Sequence, residues 1–239
     1  MLTALANPHR FMAASRWLAP LLGATAAGLI GAGLWLGLQV PPDYQQGVTV
    51  QIMFLHVPAA WTAMFAYACL GAASFVSLVF RHALADQAAK AAAPLGAGFT
   101  ALALITGSLW GKPEWGAWWV NDARLVSVLV LLLLFLGYLA LRASIEDEAK
   151  AARAGEILAL LGLVNLPVIH FSVQWWNTLH QGESLLRKGG PALAGVYIAP
   201  LLLNGAGYML AFGALWLVRT RVEVWRRRAT SLALQAALG

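Results

Sequence analysis

The chain has 239 residues, of which 60% are hydrophobic and only 11% charged, with a mean hydropathy of +0.70. A soluble domain carries roughly 25% charged residues, so this composition excludes a water-soluble globular protein and predicts an integral membrane one. The net charge of +6 does not point to nucleic acid, because the basic residues gather in short loops between apolar runs, where they orient a chain in the bilayer.

A bilayer-crossing helix takes about 20 apolar residues. Six runs qualify, at roughly 17–40, 53–80, 89–110, 125–143, 155–174 and 193–218. The expected fold is all-α, with residues 1–239 forming one six-helix transmembrane domain and an outer tryptophan-rich segment at about 110–125. The first run follows Arg10 and Arg16. It is too long for a signal-peptide core and lacks a clear small-residue cleavage site, so it reads as a retained anchor. The second run is long enough to tilt, or to begin in the interface. The single cysteine, Cys69, lies inside this run. One thiol makes no intramolecular disulfide, and no C-x-x-C offers redox chemistry or covalent heme attachment.

Six spans put both termini on one side, together with the loops after spans two and four. That side receives Arg10, Arg16, Arg81, Lys90, Arg142, Lys150, Arg153, Arg219, Arg221, Arg226, Arg227 and Arg228. The other side receives Lys112, Arg124, Arg187 and Lys188. The richer side is expected to be cytoplasmic. Three outer segments remain, at about 41–52, 111–124 and 175–192.

The outer segments and their flanks concentrate aromatic and imidazole groups: Trp110, Trp115, Trp118, Trp119, Trp175, Trp176, His56 and His180. An interfacial aromatic belt accounts for one or two rings per helix end. It does not readily account for "WGKPEWGAWWVNDARL", Trp110 to Leu125, so a binding platform stands beside the belt as an equal reading. Pro113 opposes a continuous helix there. Asp122 and Arg124 are placed to pair with one another or to bind a partner's charges.

His56, in "FLHVPAAW", falls just inside the outer membrane boundary, where an ionisable group is a functional candidate. Pro58 is expected to start or kink a helix and so aim that side chain. His180, in "WWNTLHQGES", shares the outer side. His170 competes, but ten residues along a helix turn the face by about 280°, and packing is its expected role. His9 and His82 read as surface residues. Two imidazoles beside flat indoles and a few basic groups suit a porphyrin with its axial iron ligands and propionates. Zinc fits less well, because further ligands are scarce on this face.

"GSLWGKPEWGAWWVNDARL" resembles the WWD signature of heme-handling membrane proteins. With "FLHVPAAW", "VNLPVIHFSVQWWNTLHQG" and "PPDYQQG", the chain resembles the heme exporter protein C (CcmC) family of system I cytochrome c maturation. The likeness runs from about residue 41 to 185. It implies a protein of the bacterial inner membrane, with both termini cytoplasmic, that binds heme b at the periplasmic face and presents it to the heme chaperone CcmE. It also implies work beside the CcmA and CcmB ABC transporter and the small membrane protein CcmD, within membrane lipid. Carried over, His56 and His180 match the axial ligands of the heme iron. Trp115, Trp118, Trp119 and Asp122 match the heme platform and chaperone contact, and Arg124 leads the candidates for a propionate contact. No residue is assigned a catalytic role, and the resemblance describes a heme-transfer protein more than an enzyme.

Two positions depart from the family pattern: Asn121 stands where tryptophan is usual, and Val126 where threonine is usual. Losing an indole removes a large apolar face, worth roughly 1.5–3 kcal/mol when fully buried.

Rival readings remain. A transporter subunit carrying heme or another substrate across the bilayer would need polar groups at midplane and broken helices. Asn165, Pro167 and Asn204 are the few candidates. A cofactor-free scaffold of an ABC complex would use its tryptophans only as a belt. A complete heme–apocytochrome synthetase is weakened by the lack of a large outer domain. On the cytoplasmic side, Glu146–Lys150 and the Arg226–Arg228 cluster could dock an ATPase, although topology setting and anionic lipid account for the arginines.

Overall fold

The computed structural model describes residues 7–180, 190 and 193–238. Helix α1 spans Pro8–Gln39, and a 3₁₀ turn at Val48–Ile52 leads into α2, Met53–Phe80. Helices α3 (Ala83–Trp115), α4 (Ala123–Ser144), α5 (Glu148–Gly162), α6 (Asn165–Trp175) and α7 (Gly195–Leu238) follow. With α5 and α6 continuing one another, six helical segments are long and apolar enough to cross a membrane. No strand occurs among the described residues, and the protein is an all-α, multi-pass membrane protein.

Four helix starts have a local side-chain cause. Asn7 caps α1, His82 caps α3 and Asp122 caps α4, each through a side chain that accepts an otherwise orphaned backbone N–H. The acidic turn at Glu146–Lys150 contains such a cap: Asp147 accepts from the N–H groups of Ala149 and Lys150. Pro113 does not stop α3, which runs on to Trp115. Proline removes one hydrogen bond, a small loss in a last turn. The stop is Gly116, at φ 73°, whose N–H bonds to the carbonyl of Lys112. Only glycine adopts that left-handed conformation without strain.

The fifth span is broken at Leu163–Val164. Leu163 and Val164 donate three residues back, to Leu160 and Leu161, and Pro167 has no N–H to offer. Asn165 bridges the break by donating from Nδ2 to the carbonyl of Ser127 on α4 at 2.9 Å. Irregular backbone at membrane depth survives where protein covers it and its polar groups are satisfied.

Consecutive spans run antiparallel. Helix α1 packs along α7, with Gly33 against Asn204 near the middle and Arg221 donating to Met12 and Ser15 near the termini. Helix α3 occupies the centre and touches α2, α4 and α7. Its small residues Ala89, Ala92, Ala93 and Ala97 are buried. They admit the rings of Tyr67, Phe135 and Phe212 from the helices around it. Without a hydrophobic drive between helices in lipid, such close backbone approach is what holds spans together. Large side chains such as Trp17, Trp35 and Leu133 point outward, as a lipid-facing surface allows.

Both described ends of the chain lie at one end of the bundle. There Arg142 meets Asp86 at 2.5 Å, and Glu223 holds Lys90 and Arg226, each at 3.1 Å. The tryptophan-rich segment and the start of α2 lie at the opposite end.

Candidate functional site

One face of α3, at the end away from the chain's termini, organises the site. Residues three or four apart on a helix are neighbours, so Ala103, Thr106, Gly107, Trp110 and Gly111 form a stripe that continues to Trp115.

His56, in the first turn of α2, lies against this stripe. Its Nδ1 is 2.9 Å from the carbonyl oxygen of Ala103 and 3.1 Å from Oγ1 of Thr106. The Thr106 hydroxyl donates to the carbonyl of Leu102 at 2.7 Å, so it faces His56 as an acceptor. Both neighbours of Nδ1 therefore accept, which puts the imidazole proton on Nδ1 and leaves the lone pair on Nε2. The ring packs edge-on against Trp110 at 5.8 Å. A Cβ at Gly107 would stand 2.9 Å from Cε1 of His56, so glycine is what lets the imidazole sit flush on α3.

His180 approaches the same stripe from the segment after α6. Its Nδ1 faces Oδ1 of Asp122 at 3.2 Å, and its ring meets Trp115 at 5.0 Å. Asp122 is only 6% exposed and is saturated with donors. Its Oδ1 also accepts the N–H of Arg124 at 2.9 Å, and Oδ2 accepts the N–H of Leu179 at 3.0 Å and the hydroxyl of Thr178. Burial pushes its carboxyl upward, but the bonds from Thr178, Arg124 and Leu179 outweigh that and hold it below the usual carboxylate range. For His180, burial pulls the imidazole below its ordinary value, against the raising effect of Asp122; Arg124 lowers it further. A neutral ring facing an ionised carboxylate carries its proton on Nδ1. Again Nε2 is the free donor atom, and no described group bonds it.

His56, against Trp110, and His180, against Trp115, border the same face of α3. Arg124 does not pair with Asp122 through its guanidinium. It donates from Nε to Oγ of Ser172 at 3.2 Å and from Nη2 to the carbonyl of His170 at 3.3 Å, which ties α4 to α6. His170 itself is exposed on α6, and its backbone carbonyl accepts from Arg124.

The indoles divide into two sets. Trp110 and Trp115 contact the imidazoles, whereas Trp118 and Trp119 are 58% and 38% exposed. Lys112 lies over the Trp118 ring at 5.8 Å and donates to the carbonyl of Gly116. Nε1 of Trp119 donates to Oδ1 of Asn121 at 3.0 Å, and that amide holds the Trp119 ring. Trp175 and Trp176 extend the exposed aromatic surface, with Phe171 stacked on Trp175 at 5.3 Å. Nε1 of Trp110 is buried and has no partner among the described residues.

Among the described residues no group of three His, Cys, Asp or Glu could hold a metal ion. Two imidazoles bordering one helix face suit a metal whose other ligands arrive with it.

A family model described as heme exporter protein C matches residues 1–235. The chain belongs to the heme exporter protein C family. A relative in Bradyrhizobium diazoefficiens, named heme exporter protein C, is 51% identical over 98% of this chain and 89% of its own length. Relatives of the same name in Paracoccus denitrificans and Escherichia coli K12 are 46% and 45% identical. They match 95% and 91% of this chain, over 95% and 88% of their own lengths.

The sequence reading of this family member missed Ala103, Thr106, Gly107 and Thr178. Thr178, two residues before His180, was recoverable as a local turn former. Nothing near His56 signals residues on another helix. Glu183, Arg187 and Lys188 lie outside the described residues.

Proposed function

We propose that this protein binds heme b at the outer face of the bacterial inner membrane, as cargo held between His56 and His180, and presents it to the periplasmic chaperone CcmE. The observation that carries the reading is the matched pair of imidazoles: each Nδ1 is committed to a bond behind the ring, and each Nε2 is left for iron. Such second bonds orient metal-binding histidines and fix their tautomer. The unpartnered Nε1 of Trp110 and the nearby charge of Arg124 fit the same cargo, since a porphyrin carries carboxylate groups.

The bound heme supplies the iron and the vinyl edge at which the chaperone's histidine reacts. This chain's residues hold and orient. His56 and His180 fix the plane, Trp110 and Trp115 flank it, and the exposed Trp118 and Trp119 meet the chaperone. Holding two reactants in register is itself a large contribution to rate, without a catalytic residue. Partners in this reading are CcmE, the CcmA and CcmB transporter and CcmD. The basic residues at the terminus-bearing end orient the chain with both termini in the cytoplasm.

A path across the bilayer through this chain has little support. Asn165 is bonded to Ser127 and Nδ2 of Asn204 to the carbonyl of Pro200, which leaves Oδ1 of Asn204 as the one buried amide atom of the two without a described partner. The test is the visible spectrum of protein purified from heme-replete cells. The expected result is a bis-imidazole spectrum that His56→Ala and His180→Ala each abolish. Survival of that spectrum in both variants overturns the ligand pair.

A further inference from the structure

We propose that the two imidazoles hold iron unequally: Asp122 makes His180 the firmer ligand, and His56 is the one that yields when the porphyrin is handed on. This rests on the bis-histidine reading above and deepens it.

The difference lies behind the rings. The Nδ1–H of His56 faces two neutral acceptors, the Ala103 carbonyl at 2.9 Å and the Thr106 hydroxyl at 3.1 Å. The Nδ1–H of His180 faces a carboxylate oxygen at 3.2 Å. Hydrogen bonds to an ionised acceptor are roughly twice as strong as neutral ones, and Coulomb attraction falls only inversely with distance. The extra 0.3 Å therefore does not offset the full charge. Asp122 is also buried, so water does not dilute its field. A carboxylate behind an imidazole raises the basicity of the far nitrogen, which strengthens its bond to ferric iron in particular.

Asp122 also fixes where His180 stands. It caps α4 from a well-defined backbone position, and it gathers Thr178 and Leu179, the two residues before His180. It acts through the imidazole and not on the cargo, so it is a positioning residue. Its burial beneath His180 removes it from any surface at which a chaperone could touch it. That differs from the platform role that the WWD resemblance implies.

The experiment compares heme-loaded wild type with Asp122→Asn, Asp122→Glu, His56→Gly and His180→Gly. Asparagine caps a helix as well as aspartate does, so Asp122→Asn keeps α4 and removes the charge. The ferric-over-ferrous preference of bound heme, read by mediated redox titration, is expected to fall about tenfold in Asp122→Asn. That is a rise of about 59 mV for one electron. Asp122→Glu stays with wild type. Heme affinity is expected to fall at least tenfold further in His180→Gly than in His56→Gly, within the 10–100-fold range of second-shell effects. An unmoved potential in Asp122→Asn, or equal or reversed losses in the two glycine variants, overturns the inference while leaving the bis-histidine reading intact. If Asp122→Asn does not fold, the glycine pair alone decides. A wild type with no bis-imidazole spectrum overturns both.

Discussion

The two ends of the helical bundle handle polar groups in opposite ways. At the terminus-bearing end, charges answer one another: Arg142 with Asp86, and Glu223 with Lys90 and Arg226. At the other end, beside a fully bonded Asp122, the two imidazoles are satisfied on one side only. His56 and His180 are each bonded at Nδ1 and, among the described residues, open at Nε2, and no described group partners the buried Trp110 N–H. A closed network fastens helices. A half-closed one holds side chains ready for something the chain does not itself contain.

The largest effect expected from this contrast is on stability, at the closed end. Arg142→Ala leaves the half-buried Asp86 without its partner; breaking a fully buried pair costs about 3–5 kcal/mol, and the loss here should fall below that range. Thermal unfolding in detergent should show that loss, while whatever protein folds keeps its heme spectrum. A comparable loss of heme from the folded fraction would dissolve the distinction between the two ends.

At the open end the effects should fall on binding. Pyridine-hemochrome assay of His180→Ala and His56→Ala should show reduced heme, the deeper loss in His180→Ala, with melting close to wild type. Unfolding of both variants in the absence of heme would mean that the imidazoles are structural.

Gly107→Ala makes a smaller and more pointed test. Its methyl group would crowd Cε1 of His56, and overpacking costs about 1–3 kcal/mol. The expected result is a displaced imidazole and a spectrum with weakened axial ligation, while the ion pairs at the far end keep the helices assembled. An unchanged spectrum would show that His56 does not need its seat on α3.

The smallest effect belongs to Asn121→Trp. Position 121 is exposed, where substitutions usually move stability by no more than about 0.5 kcal/mol. The change removes the amide that holds Trp119 and restores an indole to the platform. Heme loading and covalent transfer to CcmE, followed by heme staining, should rise while melting stays put. No change in transfer would place position 121 outside the working surface.

Different parts of this site were legible in the sequence for different reasons. His56 and His180 stand out because each is an ionisable group beside tryptophan near an apolar boundary. Their bonding does not stand out. The partners of His56 are 47 and 50 residues away, and Asp122 is 58 residues from His180. The same limit applies to Asp122 and Arg124, for which the sequence allows either a mutual pair or a partner's charges. Two residues apart, they invite a side-chain pair, yet Asp122 takes only the backbone N–H of Arg124, and the guanidinium reaches a helix 46 to 48 residues on. Pro113 was read as a break because proline usually is one, but in the last turn of α3 it leaves the helix standing and Gly116 ends it.

The sequence by itself determined the solvent, the number of spans, the clustering of basic residues at one end and the concentration of indoles at the other. These follow from run length and local charge, properties that need no knowledge of neighbours. The tertiary structure alone decided which nitrogen of each imidazole is left open, that Asp122 stands behind a ring and not on a surface, and that Arg124 braces α6. Those outcomes depend on hydrogen bonds between groups distant in sequence, and only packed helices bring such groups within 3 Å or so of each other.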